Sequence, residues 1–158
     1  MFRRFQYESQ YYTTLSRLPL DVRRKLDLIG LKISLKDWLA FSLEERAVLC
    51  HLPNESVDEQ QAFQAFLDFL SRKYLGRSIQ TTEPMSASLW NGETVPEPVL
   101  LKSTDSNAAV TRQEWAQWHD HDRYALYKTA ISTNQPEAFA QILNELRGRK
   151  NQQLKADN

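Results

Sequence analysis

Three places in this 158-residue chain set side chains capable of chemistry close together. His119-Asp120-His121-Asp122 offers two imidazoles and two carboxylates, donor types that ligate transition metals. Cys50-His51 puts a thiol beside a base, the pairing a nucleophilic cysteine needs. Arg46 and Arg123, with helix N-termini expected at Ser34 and Thr111, offer donors to an anion. Spacing weakens the first two. Residues two apart on a helix point in different directions, so the histidine run reads as a polar helix start. Adjacent helical residues do not face each other either, and Cys50 reads as a buried structural thiol. Arg46 and Arg123 are expected to hold the acidic helix starts at Asp37 and Glu114 through charge-assisted hydrogen bonds. The sequence offers no Ser-His-Asp logic, no glycine-rich phosphate cradle among its four glycines, and no second cysteine for zinc or iron–sulfur binding. We therefore expect no catalytic, cofactor-binding or metal-binding residue, and no enzyme.

The elements that would position these residues read the same pattern twice. Pro19, Val22, Lys25, Ser34, Trp38, Arg46 and Leu49 recur as Pro96, Val99, Lys102, Thr111, Trp115, Arg123 and Leu126, each pair 77 positions apart. Conservative swaps share the offset: Asp37 with Glu114, Ile33 with Val110, Phe41 with Trp118. The pattern predicts a tandem duplication, and repeated positions such as Pro19, Val22, Gly30, Ser34, Trp38 and Arg46 mark what the shared unit needs structurally.

Helix punctuation is dense in both copies. Pro19 and Pro96 suit the first turn of a helix, and Gly30 and its counterpart Asn107 suit the left-handed residue that ends one. Ser34 with Asp37, Thr111 with Glu114, Ser42 with Glu45 and Ser56 with Glu59 each fit a capping box. Trp38 and Trp115 follow two of these boxes and read as core. Phe63, Phe66, Leu67, Leu70 and Tyr74 predict a long amphipathic helix, matched by Phe139, Ile142, Leu143 and Leu146 in the second copy. The expected architecture is all-α: a single compact domain over 1–147, with one repeat at 17–75, a connector at 76–94 pinned by Trp90, and a second repeat at 95–147. An aromatic N-terminal arm precedes it, with a short extended segment at Phe5 and Tyr7, and a disordered polar tail follows at 148–158.

Composition bounds the partners. With 20 acidic and 20 basic residues the formal charge is zero, so neither nucleic acid nor an anionic membrane is expected as a general partner. A domain of this length buries roughly 70% of its unfolded surface. No run near the ~18 apolar residues of a membrane span is present, and no apolar stretch follows the basic start, so a cytoplasmic location is expected. The lone Cys50 agrees with a reducing compartment. A homodimer remains compatible with all of this.

Phe5-Gln6-Tyr7-Glu8, the stretch Pro19–Leu52, the helix at Gln64–Leu70, Val95–Val99, and the later Glu114-Trp115 and Arg123–Lys128 motifs resemble the nitrate reductase associated protein family of cyanobacteria. The resemblance spans most of the chain. It implies a small cytosolic protein encoded beside assimilatory nitrate reductase and molybdopterin-synthesis genes, with no catalytic residue to carry over. The implied role is non-catalytic assistance to the maturation, stability or activity of that molybdenum enzyme. The implied partners are the reductase catalytic subunit and proteins of molybdenum-cofactor biosynthesis. Ser106, Asn107 and Ala108 depart from the pattern, standing where Leu, Gly and Leu are expected. Two rival roles are a carrier of molybdopterin or a related anion between the repeats, and a regulatory adaptor that senses nitrogen status. The basic set Arg23, Arg24, Lys25, Lys32 and Lys36 surrounds one turn. Arg23, Arg24, Lys32 and Lys36, with the apolar Leu31 and Leu35, form the expected partner-docking face.

Overall fold

Local capping decides where most elements of this chain begin and end. The computed structural model describes residues 2–105 and 108–156, so the expected turn at Ser106 and Asn107 and the last two residues of the expected tail lie outside the described residues. The chain divides into two units, each built around its own buried side chains. The first takes the residues up to Arg4 with Glu8–Ser86; the second takes Phe5–Tyr7 with the chain from Ala87 onward.

In the first unit, helix α1 (Leu20–Ile29) starts after Pro19, which sits at the N-cap with φ −62° and ψ 149° rather than inside the first turn. Its carbonyl accepts the Arg23 N–H at 3.0 Å. Gly30 ends the helix at φ 85°. A Cβ there would lie 2.5 Å from the Thr82 carbonyl oxygen and 2.9 Å from Pro84, so glycine is required both by the backbone angle and by space. Two short strands follow from this approach, β1 (Leu31–Lys32) and β2 (Gln80–Thr81), antiparallel with Leu31 opposite Thr81. They correct the all-α expectation: the chain leaving α1 satisfies its backbone with the 80–85 segment, Thr82 N–H donating to Gly30 at 2.9 Å and Met85 N–H to Asp27 at 2.8 Å. Part of the expected connector is therefore paired backbone.

Helices α2 (Leu35–Ala40), α3 (Leu43–His51) and α4 (Val57–Leu75) each start at a complete capping box, from Ser34 with Asp37, Ser42 with Glu45 and Ser56 with Glu59. Gly76, at φ 68°, closes α4. Val22 and Leu26 of α1, Trp38, Phe41 and Leu49 meet Phe63, Leu67 and Leu70 of α4 in one apolar cluster.

The second unit opens with a 3-10 turn at Ala87–Trp90. Helices α5 (Glu97–Asp105), α6 (Arg112–Gln117), α7 (Asp120–Ile131) and α8 (Pro136–Ala156) follow. The first three start 77 residues after α1, α2 and α3. Pro96 precedes α5, and its carbonyl accepts from Leu100 N–H at 3.0 Å. Val99, Trp90, Trp115, Leu126, Phe139, Ile142, Leu143 and Leu146 are all buried. At Thr111 only the hydroxyl half of the capping box forms, because Arg147 holds the Glu114 carboxylate at 2.8 Å. Helix α8 runs past Arg147, where Arg149 pairs with Glu145 one turn back and lies 3.7 Å from Asp122. Residues Gln6–Tyr11 form a 3-10 helix rather than an extended segment. Within the second unit the Gln6 N–H donates to Glu145 at 2.9 Å and the Tyr7 hydroxyl to Gln135 at 2.8 Å.

Four charged side chains are buried in the first unit: Glu8, Asp21, Arg24 and Lys25. Proline offers no side-chain cap, and Glu8 takes that place from twelve residues away, accepting the Leu20 N–H at 3.0 Å and the Tyr12 hydroxyl at 3.0 Å. Asp21 accepts from Arg24 Nε and from the Arg3 N–H, both at 3.0 Å, while Arg24 Nη2 donates to Asn54 at 3.3 Å. Lys25 donates to the carbonyls of Cys50 and Leu49 at 2.7 and 3.1 Å, closing the C-terminal end of α3. Burial lowers its proton affinity, opposed mainly by Asp21. Burial likewise pushes the Glu8 carboxyl up from 4.5 to about 7, against the pull of Leu20 N–H, Tyr12 and Arg23. Because the folded value exceeds the unfolded one, the contribution is complete below about pH 4.5 and lost as pH rises to about 7. Relative to Glu8→Gln, the wild-type chain should lose up to roughly 3 kcal/mol across that window. Urea unfolding at both ends measures this, and identical pH dependence in the two proteins would remove Glu8 as the titrating group.

Candidate functional site

The expected docking residues separate into two groups. Arg24 and Leu31 are each 3% exposed. Arg24 is tied to Asp21 and Asn54, and Leu31 lies in the apolar cluster, so neither belongs to an accessible face. Lys25, from the same basic set, is also enclosed. Both are enclosed because their long stems reach buried acceptors, Arg24 the Asp21 carboxylate and Asn54, Lys25 the carbonyls that end α3. Arg23, Lys32, Leu35 and Lys36 are exposed. Arg23 also donates from Nε to the Leu18 carbonyl at 3.4 Å. Leu39, four residues after Leu35 on α2, shares its face, and both are 46% exposed. Leu39 was missed by the sequence reading, though its spacing from Leu35 would have found it. Two cations and two leucines within eight residues make a surface with both an apolar centre and long-range charge.

The repeated tryptophans and arginines bond to backbone carbonyls within their own units. Trp38 and Trp115 are fully buried. The Trp38 indole N–H donates to the Leu15 carbonyl at 2.7 Å, and Arg46 Nη1 donates to Leu15 and Thr14 at 2.9 and 3.0 Å. Arg46 Nε also reaches the Phe41 carbonyl at 3.2 Å. In the second unit the Trp115 indole donates to Asn91 at 2.6 Å, while Arg123 donates to Trp90 at 2.8 Å and to Trp118. These bonds correct the expected pairing of Arg46 with Asp37 and Arg123 with Glu114. Arg77 takes Asp37 at 3.3 Å and Arg147 takes Glu114 at 2.8 Å instead, while Arg46 and Arg123 lie over backbone carbonyls at these bends.

The candidate chemistry of the sequence takes a different form here. His119 is the N-cap of α7, outside the helix proper, so its ring comes within 4.6 Å of His121 rather than pointing away, and its Nδ1 accepts the His121 N–H at 3.3 Å. Among the described residues, no group of three or more His, Cys, Asp or Glu is placed to hold a metal ion. Cys50 is 2% exposed, and its neighbour His51 stacks on Phe2 with centroids 5.5 Å apart. Burial pushes the Cys50 thiol up to about 12, outweighing the lowering effect of the Lys25 ammonium.

A family model described as conserved nitrate reductase-associated protein matches residues 4–146. The chain belongs to this family. Neither curated proteins nor solved structures provide a match. The matched span covers most of both units, including the buried charges of the first and the exposed leucines of α2. No helix among the described residues is long and apolar enough to cross a membrane.

Two outcomes check the arrangement. The native chain should leave Cys50 unreactive toward a disulfide reagent near pH 8, with full reaction only in denaturant; rapid native labelling would refute its enclosure. Asp21→Ala should cost about 3–5 kcal/mol in urea unfolding, since it leaves Arg24 buried without its carboxylate. A loss below about 1 kcal/mol would show that the pair contributes little.

Proposed function

We propose that this chain is a non-catalytic accessory factor of assimilatory nitrate reductase, acting by protein–protein binding on the maturation, stability or activity of the molybdenum enzyme. The observation that carries the reading is the family match over residues 4–146. A binding factor needs only to favour one state of its partner: if it binds the cofactor-accepting apoenzyme better than other states, mass action raises that population. Such a factor is chaperone-like and cytoplasmic, meeting the reductase catalytic subunit and, at the same step, molybdenum-cofactor biosynthesis proteins. The two units are read as copies of one duplicated helical unit, supported by the 77-residue spacing of three successive helix starts and by a Trp–Arg pair donating to backbone carbonyls in each.

The docking face is read as Arg23, Lys32, Leu35, Lys36 and Leu39, the exposed members of the basic and apolar set. It suits an acidic surface with an apolar centre. The anion-carrier reading is disfavoured, since the two arginines it requires already donate to carbonyls, and the Ser34 and Thr111 hydroxyls each accept a helix N–H.

The functional test is reductase activity per molecule of reductase polypeptide in nitrate-grown cells with and without this gene, with molybdenum content from the same preparation. A fall in both supports a maturation role; unchanged activity per polypeptide refutes the accessory reading. For the surface, the triple variant Arg23→Glu, Lys32→Glu, Lys36→Glu should weaken binding to purified reductase about tenfold or more while leaving helix content intact. Undiminished binding would exclude this face.

A further inference from the structure

Helix α4 presents two faces, and among the described residues only one is buried in an apolar core. Phe63, Leu67 and Leu70 point into the core of the first unit. On the opposite side Asp58, Ala62, Ala65, Phe69 and Arg72 are all exposed, Phe69 at 57%. Their spacing alternates between four and three residues. That is the period of a helix-pairing seam, which keeps one stripe turned toward a partner helix along several turns. An isolated outward phenylalanine would be ordinary, but one on a stripe of this period, beside two alanines and bounded by opposite charges, is not explained by the fold.

The order of charges identifies the partner. Ala65 stands at the centre of the stripe, with Asp58 seven residues before it and Arg72 seven residues after. We propose that α4 is a self-association surface on which two copies of this chain pair antiparallel about a two-fold axis passing through Ala65. Such an axis makes the contact isologous, so Asp58 of each copy meets Arg72 of the other, and two identical ion pairs close the ends of the seam. A parallel arrangement would set Asp58 against Asp58 and Arg72 against Arg72. The same axis sets each Phe69 within one residue's rise, about 1.5 Å, of Ala62 of the other copy, whose short side chain leaves room for a ring. Arg72 remains able to take part: its Nε donates to Asp68 at 2.8 Å and its Nη2 to Ser78 at 2.7 Å, leaving three of its five N–H donors, and its side chain is 65% exposed.

A single helix pair of 19 residues lies below the ~1,200 Å² of a standard stable interface, so the dimer is a weak and concentration-dependent one. Sedimentation velocity on the full chain between about 1 µM and 1 mM should show monomer passing to dimer. Ala65→Arg places two like charges on the axis and should leave monomer throughout, with unchanged helical circular dichroism. Asp58→Arg or Arg72→Asp alone should raise the dimer Kd about tenfold, two ion pairs being lost at once. The double variant should return it toward the wild-type value, a rescue that general damage to α4 would not give. Ala65→Cys should form an intermolecular disulfide on mild oxidation, because a residue on the axis meets itself. Monomer at every concentration, or a dimer indifferent to Ala65→Arg, would overturn the proposal. A monomer whose binding to reductase is abolished by Ala65→Arg would likewise overturn it, assigning the stripe to the reductase.

Discussion

Arg46 and Trp38 together fasten the irregular backbone around Leu15 to the bend between α2 and α3, and much of the first unit depends on that fastening. Leu15 has a positive φ of 47°, a conformation costly for a residue with a branched side chain. Its carbonyl receives two donors, one from a buried indole and one from a guanidinium that also reaches the carbonyl ending α2. Hydrogen bonds from a charged donor contribute about 1.5–3 kcal/mol each, enough to offset the backbone cost. Leu15 can then bury its side chain against Val22, Trp38 and Leu49. In the second unit Trp115 and Arg123 hold Asn91 and Trp90 in the corresponding way, which sets the Trp90 ring edge-on to Tyr124 with centroids 5.0 Å apart.

The buried charges of the first unit follow a related logic. A helix leaves unpaired N–H groups at its start and unpaired carbonyls at its end, and water normally serves both. Glu8 meets such an N–H at the start of α1, and Lys25 meets such carbonyls at the end of α3. Each charge has the sign that the helix end favours. Enclosure makes them expensive, and their contacts with backbone groups are what makes the expense tolerable. The sheltered positions of Arg24 and Lys25 leave Lys32 and Lys36 as the cations closest in sequence to the exposed leucines of α2.

Much of this was legible in the sequence because capping is local. Ser34, Ser42 and Ser56 with their acids, and Gly30 with its left-handed φ, act within four residues of where they stand, and each lies where the pattern placed it. The core stripes of α4 and α8 were legible for the same reason, since a helical period shows itself within two turns. Pairings across longer separations were not. Arg46 sits close in sequence to Asp37 but bonds a carbonyl thirty-one residues away, and nothing in residue type distinguishes a carbonyl partner from a carboxylate. Arg24 and Leu31 looked like parts of a surface because charge and position on a short helix do not reveal which side faces inward. The strand pair escaped notice because two residues are too few for an alternating pattern to emerge.

The close approach at Gly30 bears on motion as well as on residue choice. The 80–85 segment is held by the β1–β2 pair, by Thr82 on Gly30 and by Met85 on Asp27, while its side chains are mostly exposed. A strap fastened by backbone bonds over the end of a buried helix can lift without disturbing the apolar cluster beneath it. Lifting would uncover the last turn of α1 and free Leu31–Lys32 from their partner strand, so the amide protons of Thr82 and Met85 are poised to exchange with solvent together and ahead of the core. Lys32, three residues before Leu35, is thereby tied to a strap held by backbone bonds, giving that side chain a latitude that the capped helices around it lack.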